Sequence, residues 1–82
     1  MDSALIEEIA GHIVGIKTNV DAMIEARKCA NKIESEREKA IAYHDTIVPY
    51  FDIIRMHIDK LEMVVDNEVW PLPKYRELLF IN

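Results

Sequence analysis

Ile6, Ile13 and Val20 recur every seven residues, and Ile9, Ile16, Met23 and Ala30 keep the same interval three positions further on. Apolar residues with that period line one face of an α-helix, so the first half of the chain reads as a single long amphipathic helix over about 3–32. Asp2 or Ser3 can cap its start by accepting from exposed backbone N–H groups. The second half repeats the arrangement with Ile47, Phe51, Ile54, Ile58, Leu61 and Val65, spaced alternately four and three apart. That seam predicts a second long helix over about 36–69. Between the seams, Ser35 followed by Glu38 has the form of a capping box, a helix-start signal that also arises often by chance. The only glycines, Gly11 and Gly15, lie near the beginning, so the punctuation of a strand-rich fold is missing. The expected fold is all-α: an antiparallel two-helix hairpin of long helices, since tightly joined amphipathic helices have few other ways to bury both seams.

Pro49 falls inside the second predicted helix, where it removes a backbone donor and crowds the preceding turn. It could end that helix. The apolar phase nevertheless runs through it, from Ala40 and Tyr43 to Ile47, Phe51 and Ile54, so a kink near Pro49 is expected rather than a break.

A chain of 82 residues forms one small domain, and a domain of that size removes only about 60–65% of its unfolded surface from water. An added partner surface would therefore stabilise it. The net charge of −5 and the scattered basic residues argue against nucleic acid as a ligand, because phosphate binding needs clustered Lys and Arg. No apolar run approaches the roughly 20 residues that span a bilayer, and no secretory leader is evident at the start. The single cysteine, Cys29, forbids an intrachain disulfide and suits a reducing, cytoplasmic interior.

Two faces call for an explanation beyond solubility. On the first helix Gly11, Gly15, Thr18, Ala22, Ala26 and Cys29 form a stripe of small residues opposite the seam. It either admits a close neighbour or is a tolerated surface, and two mid-helix glycines cost about 1 kcal/mol each relative to alanine. On the second helix Tyr43, Tyr50 and Val64 widen the seam, while Ile53, Met56 and Met63 form a further strip that a two-helix hairpin cannot cover. A contiguous apolar strip of this kind marks a missing neighbour, either another copy or the rest of a larger protein.

The residues offer little chemistry. His12, His44 and His57 show no i,i+3 or i,i+4 pairing with one another, and each has isoleucine three positions before it, so the Glu-x-x-His pattern of di-iron bundles is absent. Glu8 and His12 share a face but read as a surface pair, with too few ligands for a metal. Cys29 lacks an adjacent histidine or a second cysteine and reads as a semi-buried structural thiol. No catalytic, cofactor-binding or metal-binding residue is assigned.

The chain closes on "WPLPKYRELLF", which holds the only tryptophan. Pro71 disfavours helix at Trp70, and Pro73 suits the first position of a new helix, predicted over about 73–80. Tyr75, Leu78 and Leu79 then share one face, and Trp70 and Phe80 enlarge the apolar plug. The run "IRMHIDKLEMVVDNEVWPLPKYRELLF" resembles the C-terminal segment of the type III glutamine synthetases, the large form of the ATP-dependent enzyme that joins ammonia to glutamate. Arg55, Asp59, Leu61, Glu62, Trp70, Pro71, Pro73, Tyr75, Leu78, Leu79 and Phe80 carry the likeness. It covers the last third of the chain strongly, and the first helix is compatible with it.

The resemblance implies an excised C-terminal helical domain, with Met1 added to the natural segment. It also implies that the catalytic groups, ATP and Mg belong to an upstream part of a parent ligase that assembles as stacked hexameric rings. Partners would then be the upstream catalytic domain and neighbouring subunits, and self-association is expected of the isolated chain. The alternative is a stand-alone interaction module that dimerises into a four-helix bundle.

Overall fold

The computed structural model describes residues 3–69, and every element among them is helical. The expected terminal helix over 73–80 lies outside the described residues, together with Asp2, Trp70, Pro71, Pro73, Tyr75, Leu78, Leu79 and Phe80. Helix α1 spans Ser3–Asn31, about 43 Å at 1.5 Å per residue. Its last turn tightens as the N–H groups of Lys32 and Ile33 donate to the carbonyls of Cys29 and Ala30 at 3.2 and 3.1 Å. Such i→i−3 bonds satisfy carbonyls that the ending helix would otherwise orphan.

Ser35 is extended (φ −70°, ψ 123°) and its hydroxyl accepts from the Glu38 N–H at 3.3 Å, so it caps helix α2, Glu36–Ala42. A π-helical turn over Tyr43–Ile47 follows, then helix α3 over Val48–Val64 and a second π-helical turn over Val65–Val69. Helical backbone thus continues through Pro49. A proline ring crowds the carbonyl four residues back, and immediately before Pro49 the ladder widens, the Val48 N–H reaching the Tyr43 carbonyl five residues away. The Thr46 hydroxyl donates to the Ala42 carbonyl at 2.5 Å, supplying a donor where the ladder changes register. π turns of this kind commonly absorb such a mismatch.

The less exposed residues of α1 include a series spaced four and three, Leu5, Ile9, His12, Ile16, Asn19, Met23, Ala26 and Ala30, flanked by Gly15, Val20, Ala22 and Ile24. Ile9, Ile16, Met23 and Ala30 therefore line the packed face as anticipated, but Ile6 and Ile13 do not: each keeps 52% of its surface in solvent. On the second helical run the covered series is Tyr43, Ile47, Tyr50, Ile54, His57, Leu61 and Val64. Phe51 and Ile58 are exposed instead. Each seam is thus displaced by one residue over part of its length, while Val20 and Val65 stay partly covered, and the added inward positions include His12, Asn19 and His57. Their polar groups can lie inward because each finds a hydrogen-bond partner, which removes the main cost of burying them.

Only Ala30 (3% exposed) and Ile47 (5%) are buried among the described residues. Ile47 shares a cleft with Met23, Ile24, Arg27, Tyr43 and Phe51. The best-packed region is therefore where the end of α1 meets the first π turn. The Tyr43 hydroxyl adds a hydrogen bond to Asn31 Oδ1 there.

Candidate functional site

Beyond that core, the most specific contact between α1 and α3 is built on Gly15. A Cβ at this position would stand 2.7 Å from both Cε1 and Nε2 of His57, well inside van der Waals contact. Gly15 is consequently the seat of an imidazole. The small-residue stripe expected on the far side of α1 is not one face, since Gly15, Ala22 and Ala26 are partly covered while Gly11, Thr18 and Cys29 are exposed. Nothing lies within 4 Å of the position a Cβ would take at Gly11. The Asn19 amide donates to the Gly15 carbonyl at 2.8 Å and completes the local hydrogen bonding.

Seated there, His57 turns its other ring nitrogen toward His12. The two Nδ1 atoms are 3.1 Å apart, with ring centroids separated by 5.3 Å and planes inclined at 59°. One ring must donate an Nδ1–H and the other accept. Sequence spacing could not disclose this pair, because the two histidines are 45 positions apart. His12 thereby finds its partner across the helix pair and not in a local Glu8 contact, while His44 remains exposed beside Asp45 at 3.2 Å.

The Cys29 thiol is exposed, not semi-buried. It borders a shallow groove of about 250 Å³ lined by Ala26, Ala30, Ile33, Ala42 and Thr46. Ile53, Met56 and Met63 are all exposed, as are Val14, Ile41 and Val48. Among the described residues, no three His, Cys, Asp or Glu side chains stand together as a candidate ion site. No helix there is long and apolar enough to cross a membrane.

These features define an all-helical segment whose apolar surface exceeds what two packed helices can cover. The chain is 58% identical over 76 residues, 93% of its length, to a glutamine synthetase of Bacteroides fragilis. It is 30% identical over 78 residues, 87% of its length, to a type-3 glutamine synthetase of Dictyostelium discoideum. The likeness read from the closing motif is thus shown: this chain resembles a segment of the glutamine synthetases, and the match takes in α1 as well as the tail. The chain spans about a tenth of the length of these curated relatives. No family model matches it, and no solved structure does.

Proposed function

We propose that this chain is a non-catalytic helical segment of an ATP-dependent glutamine synthetase, and that it supports packing on the catalytic domain and assembly of subunits. The carrying observation is a 58% identity that covers 93% of this chain and only 10% of its relative. ATP, Mg and the ligase chemistry are assigned to the remainder of the parent. The apolar side chains left open on both helices, from Val14 on α1 to Ile53, Met56 and Met63 on α3, supply the surface for that packing.

The segment acts as an antiparallel hairpin, its second arm bent at the π turn before Pro49. Supporting this are the pairings Asn31 with Tyr43 and His12 with His57, in which residue numbers fall along α1 as they rise along the second run. Two uncovered flanks on such a hairpin leave room for a neighbour on each side.

The test is deletion of the matching segment from the Bacteroides fragilis relative, followed by light scattering and ammonia-dependent turnover. The expected result is loss of native assembly, with the isolated 82 residues binding no MgATP. A truncated enzyme that assembles and turns over like the intact one would refute the proposal.

A further inference from the structure

We infer that His12 and His57 form a proton-operated latch, which holds α1 against α3 while at least one of the two rings is neutral and releases it when both are protonated. The rings meet head-on, Nδ1 to Nδ1 at 3.1 Å, with their centroids 5.3 Å apart. A bond between two imidazole nitrogens needs one N–H and one lone pair. A neutral pair supplies both, and a pair carrying one proton supplies them as a stronger, charge-assisted bond. A second proton turns the remaining acceptor into a donor, so two N–H groups and two positive charges face each other. Flipping either ring in place gives no relief, because Cδ2 then stands where Nδ1 stood and the bond is still unmade. Gly15 is the positioning residue: a Cβ there would stand 2.7 Å from Cε1 and Nε2 of His57, so the ring is held between the α1 backbone and His12.

The surroundings do little to offset the second charge. Among the described residues each ring hydrogen-bonds only to the other. Within one turn on the same face stand Glu8 on α1 and Lys60 on α3, opposite in sign and both exposed, where salt and water screen them. Along the second helical run Tyr50 and Asp66 lie about two turns or more from His57, and His44 and Asp45 of the first π turn lie further still. Release is local. His12 is roughly 27 Å along α1 from Ala30, which with Ile47 forms the buried centre at the other end of the pair. That end stays packed, while Gly15 loses its ring and the part of α1 before it swings free of α3. The contact is therefore complete at about pH 7.5 and is lost as the pH falls through the ordinary imidazole range, near 6.5, toward about 5. Ordinary carboxylates, near 3.9–4.3, stay largely ionised over that interval.

The experiment is a pH titration of the tag-free 82-residue chain at one fixed protein concentration, from about pH 7.5 to about pH 5, followed by nuclear Overhauser spectra and far-UV circular dichroism. The expected result is that the cross-peak from Gly15 Hα to the His57 ring is present at the upper pH and lost at the lower. Cross-peaks between Ile47 and Met23, which line one cleft, and the helical ellipticity should persist. His12→Gln carries an amide that both donates and accepts and takes no proton in this range, so it should keep the Gly15 to His57 cross-peak at both ends. Should that variant fail to fold, the titration of the unsubstituted chain decides alone. A cross-peak retained at about pH 5 in the unsubstituted chain, its loss only together with the Ile47 to Met23 cross-peaks, or the same loss in folded His12→Gln overturns the latch.

Discussion

Gly11 and Gly15 occupy the same helix four residues apart, and the account predicts opposite responses to the same substitution. Alanine in a helix interior is favoured over glycine by about 0.8–1.0 kcal/mol. At Gly11 the new methyl meets nothing within 4 Å, so Gly11→Ala should realise the full gain, a rise of about 4–8 °C in melting temperature for a domain of this size. At Gly15 the methyl would fall 2.7 Å from two ring atoms of His57. The ring must leave, forfeiting a hydrogen bond to His12 of about 1 kcal/mol together with its packing. Gly15→Ala should therefore be neutral or destabilising by about 1 kcal/mol. If His57 is already alanine, the obstacle is gone, and adding Gly15→Ala should recover the gain of about 1 kcal/mol. Urea unfolding of the four chains at one fixed protein concentration, followed by far-UV circular dichroism, closes the cycle and should give a coupling of about 1–2 kcal/mol. A Gly15→Ala chain stabilised as much as Gly11→Ala, with no coupling to His57, would refute the reasoning.

Three further outcomes follow from the same contacts. Ile47→Ala, at one of the two buried positions among the described residues, should cost about 2–4 kcal/mol in the same denaturation assay, enough to unfold a small domain. Ser35→Ala should remove the α2 cap and cost about 1 kcal/mol, while Ser35→Asp should retain most of it. Lys17→Ala breaks an ion pair with Asp21 whose partners are 77% and 61% exposed; the expected loss is below about 0.5 kcal/mol and should shrink further in high salt.

Helical character was readable in both halves because a period of 3.5 runs through them, past Gly11 and Gly15 in the first, and the cap at Ser35 was readable from its hydroxyl three residues before Glu38. The partial displacement of the seams was not. Hydropathy favours Ile6, Ile13, Phe51 and Ile58 over His12, Asn19 and His57, yet the polar residues lie inward because they hydrogen-bond to one another or to backbone. For the two histidines that preference is settled by partners 45 positions apart, which spacing within one helix cannot reveal. Gly15 had a local signal, since a glycine within a long helix needs a reason, but the sequence did not say that the reason was an imidazole. The family likeness was readable from Trp70, Pro71 and Pro73 onward, and the relatives extend it across α1.

The packing of α1 against α3 through Gly15 is tested most directly by a nuclear Overhauser spectrum of the 82-residue chain. Cross-peaks from the Gly15 Hα protons to the ring protons of His57 are predicted. Their absence, with cross-peaks joining Ile13 to Ile58 in their place, would contradict the account.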